Sequence, residues 1–304
     1  MEQISRRIGP ENQGHRLDQF LVTLDDHVSR AEIQRQIRDG RVSVGGRPVL
    51  QPSHHLRLGE QVAWEQRMPQ ILSPAPLPLD IVYEDDEVLA VNKPAGLIVH
   101  PGAGTAGKTT LVEGLLATRT LPASDDPARP GIVHRIDKET TGILVVAKTP
   151  RALASLKRQF ADRVVEKLYV ALVVGSFGES EGCIDAPVGR DPRAPRRMAV
   201  RLDGRAAETE FRVLQRRLDR SLVLIRPRTG RTHQIRVHFT YIGHPVVGDT
   251  LYGGPPNANL LLHAWKLTIL HPATGAPLTF EAPAPATFPW DTYGVDFSSE
   301  RAAM

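Results

Sequence analysis

His134, Arg135, Asp137 and Lys138 place four charged or titratable side chains within five residues. Thr140, Thr141 and Gly142 follow, and then an apolar run, Ile143 to Ala147, too short for a membrane span and suited to a buried strand. Gly142 permits a tight turn or a close backbone approach. A loop that presents charge and then enters a core can set a carboxylate at the floor of a cleft, partly screened from water and held by a rigid element. Proteins place reacting groups in such positions. The same spacing also suits the ordinary start of a strand with a solvated charge cluster before it.

The elements around this segment are legible in outline. Leu17, Phe20, Leu21 and Leu24 recur at helical spacing, and Ser29 with Glu32 reads as a capping box opening a second helix. On that helix Ile33 and Ile37 lie on the buried side, with Gln34, Arg35 and Arg38 fanned beside them. Val42 to Val49, turning at Gly45-Gly46, reads as a hairpin, and Gln61 to Trp64 as a closing strand. Residues 1 to 14 are polar and expected to fray. Pro69, Pro74, Pro76 and Pro78 mark a semi-extended linker, and the domain boundary is placed there. Ile81 to Tyr83 and Val88 to Val91 read as strands joined by an acidic turn, and Thr110 with Glu113 caps a short helix. Leu153, Leu156 and Phe160 mark an amphipathic helix, followed by a strand from Lys167. Ala207 to Leu214 pairs with Leu222 to Ile225, and Leu260 to Ile269 with Thr279-Phe280 closes a further pair; residues after Pro285 look like a tail. From Gln234 to Tyr241, strict alternation argues for a strand, whereas Thr232 as cap and Gly243 as stop argue for a helix.

Composition narrows the class. The 304 residues suggest one large domain plus a small one, and 41% hydrophobic with 24% charged residues describes a soluble globular chain. The lone cysteine, Cys183, excludes an internal disulfide framework and suits a reducing cytosol. The first residues have no apolar segment behind their basic ones, so no secretory signal is expected. The apolar run Tyr169 to Val174 is too short for a membrane helix. Net charge is only +4, but from Arg190 to Arg236 fourteen arginines face five acids, a local excess of nine. Arginine forks are good phosphate ligands, so phosphate backbone is the expected partner. Gly102-Ala-Gly104-Thr-Ala-Gly107-Lys108-Thr109 superficially suggests a nucleotide phosphate loop but is read as off that motif's spacing, so no nucleotide cofactor is expected. His233 and His238 could suggest a metal, but no third ligand of sensible spacing accompanies them.

His134-Arg135-Ile136-Asp137 with Thr140-Thr141-Gly142 and the following strand resembles the signature of the RluA-type pseudouridine synthases, with Ile136 in place of the commoner Leu. Lys167-Leu-Tyr169-Val-Ala171 and Gly230-Arg231-Thr-His233-Gln-Ile-Arg236-Val-His238 match two further motifs of that family, in order. Asn92-Lys93-Pro94 resembles the family's loop before the catalytic segment, although Lys93 is read as part of a turn. Residues 16 to 65 resemble the S4 RNA-binding fold. The likeness covers about residues 16 to 285 and leans toward the RluD-like branch, whose members modify large-subunit ribosomal RNA.

What this resemblance implies is an α+β chain. Residues 14–68 would form a small S4-like α+β domain, 69–80 the Pro-rich linker, and 81–290 a catalytic domain built on a large mixed, mainly antiparallel β-sheet flanked by helices. The implied activity is isomerisation of uridine to pseudouridine, without cofactor or metal, in RNA of the large ribosomal subunit, in the cytoplasm. Asp137 would be the catalytic carboxylate, Arg236 its bidentate partner, and Tyr169 the residue that stacks on the uracil and assists proton removal. Arg135 would enter the gap left by the departing base. Arg35 and Arg38 of the small domain, Arg193, Arg196 and Arg197 of the Arg-rich insert, and Arg231 would contact RNA. Three rivals are weighed: a non-catalytic S4-type RNA-binding protein, a kinase-like phosphotransferase and a glycosidase. The kinase signature has its Asp directly after Arg, where Ile136 intervenes here, and no motif nominates the second carboxylate of a glycosidase.

Overall fold

The computed structural model describes residues 2–24, 30–66, 72–102, 105, 107–194, 196–283, 285, 286 and 288. They fall into two compact units, one formed by the chain up to Ser73 with Ala123–Pro130, the other by Pro74–Pro122 and the chain from Gly131.

In the first unit the elements run β1 (Glu2–Arg7), α1 (Leu17–Leu24), α2 (Arg30–Arg38), β2 (Val42–Val44), β3 (Arg47–Pro48) and β4 (Gln61–Gln66). The antiparallel sheet has the order β1-β4-β2-β3. Leu17, Phe20 and Leu21 of α1 and Ile33 and Ile37 of α2 meet Val42, Val62 and Trp64 in one core. The expectation of a frayed start is wrong: β1 pairs with β4 from Glu2↔Gln66 to Arg7↔Gln61, and Ile8 is buried behind it. An edge strand needs little apolar patterning of its own, because its partner sixty residues on supplies the backbone bonds. The cap expected at Ser29 lies outside the described residues. Asp18 on α1 is fully buried, and its carboxylate accepts from Arg16 Nε (3.0 Å), Arg30 Nη2 (3.0 Å) and Gln34 Nε2 (2.7 Å), tying α1 to α2. Arg35 and Arg38 stand exposed on α2.

The second unit runs β5 (Asp80–Glu84), β6 (Val88–Lys93), α3 (Leu111–Leu116), β7 (Thr141–Ala147), α4 (Pro150–Ala161), β8 (Glu166–Val174), β9 (Glu181–Asp185), β10 (Val188–Arg190), β11 (Met198–Val200), β12 (Glu208–Arg216), β13 (Arg220–Pro227), α5 (Gln234–Tyr241), β14 (Leu262–Leu270) and β15 (Pro277–Glu281). Nine strands make one sheet, β5-β6-β7-β14-β8-β13-β12-β9, with β15 alongside β14. Every pairing is antiparallel except β7 with β14. That parallel contact requires Gly142: at φ +111° a Cβ would sit 2.1 Å from the Ala264 carbonyl oxygen. Leu153 and Leu156 of α4 pack on Val145, Leu267 and Phe280, while Ile235 and Phe239 of α5 pack on Ala171, Phe211 and Ile225. β10 and β11 form a separate hairpin whose connecting loop carries Arg193, Arg196 and Arg197.

Residues 234–241 are helical, as the resemblance implied, but Thr232 is not the cap; His233 is. Gln234 through Phe239 are all buried and only the last turn, at Tyr241, reaches solvent, so most of the helix has no polar face to imprint a 3.6-residue rhythm, and the sequence signals conflicted for that reason. The spacing of Gly102 to Thr109 also needs correcting: Gly102, Gly107, Lys108 and Thr109 do stand at the Gly-x4-Gly-Lys-Ser/Thr positions. The setting, not the spacing, removes a phosphate loop. The following α3 has six residues, and its opening amides are taken, Thr110 N by the Glu113 carboxylate, Leu111 N by Ile98 O and Val112 N by Val99 O.

Candidate active site

Asp137 sits at the turn of a loop that doubles back along β7. Ala147 N donates to Gly131 O, Ile132 bridges Val146, and Val145 N donates to His134 Nε2 at 2.9 Å. The His134 ring stacks on Phe160 at 4.6 Å, and burial, with Lys167 a lesser cause, pulls its pKa down to about 3, so it stays a neutral acceptor. Beyond Asp137 the Thr140 amide closes the turn onto the Asp137 carbonyl. The Lys93 ammonium, wholly buried, donates to the carbonyls of Pro94 (2.8 Å), Leu97 (2.9 Å) and Lys138 (2.9 Å). The Asn92-Lys93-Pro94 segment is therefore more than a turn: it fastens the residue after Asp137 from beneath. Desolvation draws Lys93 down to about 8.

The carboxylate opens onto a cavity of about 520 Å³ lined by Asp137, Tyr169, Arg236, Arg135, Arg231 and their neighbours. That volume is within the usual range of small-molecule sites. Three motifs far apart in sequence thus meet in one place. Arg236 does not form the expected fork with Asp137. Its Nε and Nη2 donate to the two oxygens of Asp249 at 2.7 and 2.8 Å, and only Nη1 faces Asp137 Oδ2, at 3.5 Å. Asp249 is 1% exposed and Arg236 7%, against 19% for Asp137. Burial works against the Arg236 charge, but the Asp249 bonds and the charges of Asp249 and Asp137 outweigh it and raise its pKa. A fixed cation thus borders Asp137 without clamping it, which leaves the carboxylate oxygens available to a substrate.

The guanidinium also lies over the Tyr252 ring, 4.9 Å from its centroid. Tyr252 Oη accepts from Met198 N at 2.8 Å and lies 2.7 Å from His233 Nδ1. The amide can only donate, and among the described residues the phenol proton has no acceptor other than His233 Nδ1, so it goes there and the neutral imidazole carries its proton on Nε2. Burial lowers the His233 pKa, against an opposing pull from Asp137. His233 holds a left-handed backbone, φ +54°, which costs about 1 kcal/mol for a residue with a Cβ. Gln234 secures this turn with all its polar atoms: Oε1 accepts from Thr229 Oγ1 and Arg231 N, and Nε2 donates to Glu208 O and Thr209 Oγ1. Tyr169 is raised well above an ordinary phenol by burial and then by Asp137, so it stays protonated at neutral pH.

Of the other expected contacts, Arg135 is exposed on the cavity wall and Arg231 lines it. Arg193, Arg196 and Arg197 do not line it; Arg197 instead lies over Tyr252 at 5.3 Å. Arg35 and Arg38 belong to the first unit. His238 spends both ring nitrogens on Thr209 Oγ1 and Ala186 O, and among the described residues no group of three or more His, Cys, Asp or Glu could hold a metal ion. Sequence reasoning missed Asp249 and Tyr252. Nothing local tells that Asp249 will face Arg236, thirteen residues earlier.

A loop-borne carboxylate beside a buried arginine, facing a basic cavity on a mainly antiparallel sheet, agrees with what comparison with known proteins finds. The RNA pseudouridylate synthase profile matches residues 87–241 and the S4 domain profile residues 15–62. The chain belongs to the RNA pseudouridylate synthase family, enzymes that isomerise uridine to pseudouridine in RNA, and carries an S4 domain. Among its relatives is an uncharacterised RNA pseudouridine synthase of Bacillus subtilis (strain 168), 43% identical over 291 residues, covering 94% of this chain and 95% of the relative. Another is the ribosomal large subunit pseudouridine synthase D of Pseudomonas aeruginosa, 41% identical over 295 residues, covering 91% of each chain. The structure of human RNA pseudouridylate synthase domain containing 1 superposes with a TM-score of 0.57 at 31% identity, covering 68% of this chain and 84% of that one. No helix among the described residues is long and apolar enough to cross a membrane.

Proposed function

We propose that this chain converts uridine to pseudouridine in large-subunit ribosomal RNA, with Asp137 as the catalytic carboxylate. The observation that carries the assignment is the unclamped Asp137 carboxylate at the cavity, 3.5 Å from an Arg236 whose fork is engaged by Asp249. The reaction breaks the C1′–N1 bond, turns the uracil, joins C1′ to C5, releases the C5 proton and places one on the freed N1, so atoms balance with no outside reagent. Asp137 serves as nucleophile or as stabiliser of the positive charge at the sugar. Arg236 positions it, and Tyr169 offers a ring face to the loose base. Arg135, exposed at the rim, takes the space the uridine leaves in its stack.

The ribosomal substrate is supported by the names of relatives near 40% identity over most of the chain. It implies action in the cytoplasm, where ribosomes are assembled. Residues 14–68 would grip RNA through Arg35 and Arg38, joined by residues 69–80 to the catalytic domain, 81–290. Arg193, Arg196 and Arg197 on the β10–β11 hairpin, with Arg231 at the cavity, would hold phosphates nearer the reacting nucleotide. A non-catalytic RNA-binding role fits poorly with so complete a site. Asp137→Asn preserves shape and removes the charge. It should bind a large-subunit ribosomal RNA transcript as the wild type does and form no pseudouridine; near-normal turnover by this variant would sink the assignment.

A further inference from the structure

The cavity carries more positive charge than its chemistry uses. Arg236 is neutralised by Asp249, and Arg228 donates to Glu210 at 2.8 Å. Arg163, Lys167, Arg205 and Arg231 also line the wall, and none has a carboxylate partner among the described residues. Their bonds go to neutral oxygens: Arg231 Nε to Ala206 O at 3.1 Å, and Lys167 Nζ to Thr229 O at a long 3.4 Å. The four come from different places: the residue after the α4 cap, strand β8, the turn before β12 and the turn after β13. They feel one another. Lys167 is pulled down to about 8, first by burial and then by the charges of Arg163 and Arg231. Arg231 is lowered by burial and then by Arg205 and Arg163. Arg163 also occupies a left-handed position, φ +61°, just past the end of α4, where glycine is the usual residue.

Like charges gathered without counter-ions destabilise a fold, so such a group marks a place where an anion is bound. In an RNA the anion is the phosphodiester, present on either side of every ribose. We propose that Arg163, Lys167, Arg205 and Arg231 form a phosphate seat inside the reaction cavity, taking the phosphodiester that adjoins the target ribose. This rests on the reading that the cavity accepts a uridine from RNA. The seat fixes the sugar relative to Asp137, and it binds the phosphate equally before and during the reaction. Its removal therefore raises KM and leaves kcat nearly alone.

The test uses the full chain and an unmodified transcript of large-subunit ribosomal RNA. Arg163→Gln/Arg205→Gln removes two charges from the seat. Arg158→Gln/Arg216→Gln removes two from exposed positions that do not line the cavity. The seat variant should flatten the plot of log affinity against log salt by about 1.4 to 1.8, two contacts at roughly 0.7 to 0.9 each. It should raise KM by about one to two orders of magnitude, with kcat within about threefold. The control should keep the wild-type slope and KM. A seat variant with the wild-type slope, or a control that flattens it equally, overturns the proposal. Absence of pseudouridine with the wild-type protein would instead refute the synthase reading, and the salt slopes would still decide the seat.

Discussion

Replacing Asp249 by Asn tests whether Arg236 is held from behind, as the structure shows, or from the front, as its motif alone suggested. Asp249 is 1% exposed and gives both oxygens to the guanidinium at 2.7 and 2.8 Å. Asn keeps one acceptor oxygen and turns an amide N–H₂ toward a guanidinium that can only donate. One charge-assisted bond is lost, and a buried cation is left with Asp137 at 3.5 Å as its remaining carboxylate. Breaking one side of a buried ion pair costs about 3–5 kcal/mol. Part of that would be recovered if Arg236 moved to clamp Asp137, which would neutralise the carboxylate we propose for catalysis. A net 2–3 kcal/mol of lost transition-state stabilisation corresponds to roughly 30- to 150-fold in rate. Pseudouridine formation on a ribosomal RNA transcript should fall by that amount, with thermal stability reduced in parallel. In a double-mutant cycle with Arg236→Gln, the double variant should be no worse than the poorer single, because both remove one interaction. Wild-type rate and stability in Asp249→Asn, or fully additive losses in the cycle, would refute the reasoning.

Tyr252→Phe keeps the ring over Arg236 but strands the Met198 amide and frees His233 Nδ1; a stability loss of about 1–3 kcal/mol is expected. Nitrogen NMR should show the Nε2–H tautomer of His233 in the wild type and a mixture in the variant; an Nδ1–H wild type contradicts the polarity derived above. Lys93→Met preserves bulk and takes the ammonium from three carbonyls; Lys138 O keeps the Gly96 amide, whereas Pro94 O and Leu97 O lose their donor, so unfolding free energy should drop by about 2 kcal/mol, with kcat falling as the loop bearing Asp137 loosens. An unchanged kcat would show that the loop needs no such fastening. Around Asp18, burial opposes ionisation, but Arg16, Gln34 and Arg30 overcome it and hold the carboxyl well below its usual range. A depressed acid stabilises the fold above the unfolded pKa and loses that contribution as pH falls. Hydrogen-exchange protection in α1 and α2, taken relative to the intrinsic rate at each pH, should thus fall below about pH 4 in the wild type. Asp18→Asn should already be less protected at pH 7 and change little in that acid window.

Much of the chemistry was written locally. Asp137 and Arg135 were legible as candidates because a loop that serves a strand start is a short, contiguous stretch of chain, and Gly142 allowed the close approach that β14 makes. The resemblance of three motifs, with the S4-like pattern before them, identified the family and the α+β architecture. Tyr169 was named by its motif, but only burial beside Asp137 decides that it stays a protonated phenol. The partner of Arg236 was decided by tertiary structure alone. An arginine in sequence shows a fork and a charge, not which of two nearby carboxylates its two parallel bonds will meet, and that choice depends on how α5 and the turn at Asp249 pack. The same holds for β1, whose pairing comes from a strand sixty residues away, and for the unpaired cations at the cavity, which stand on four separate elements. Local patterning sets which residues can form an element; long-range packing sets which buried charges find partners, because only the closed fold removes the water that would otherwise satisfy them.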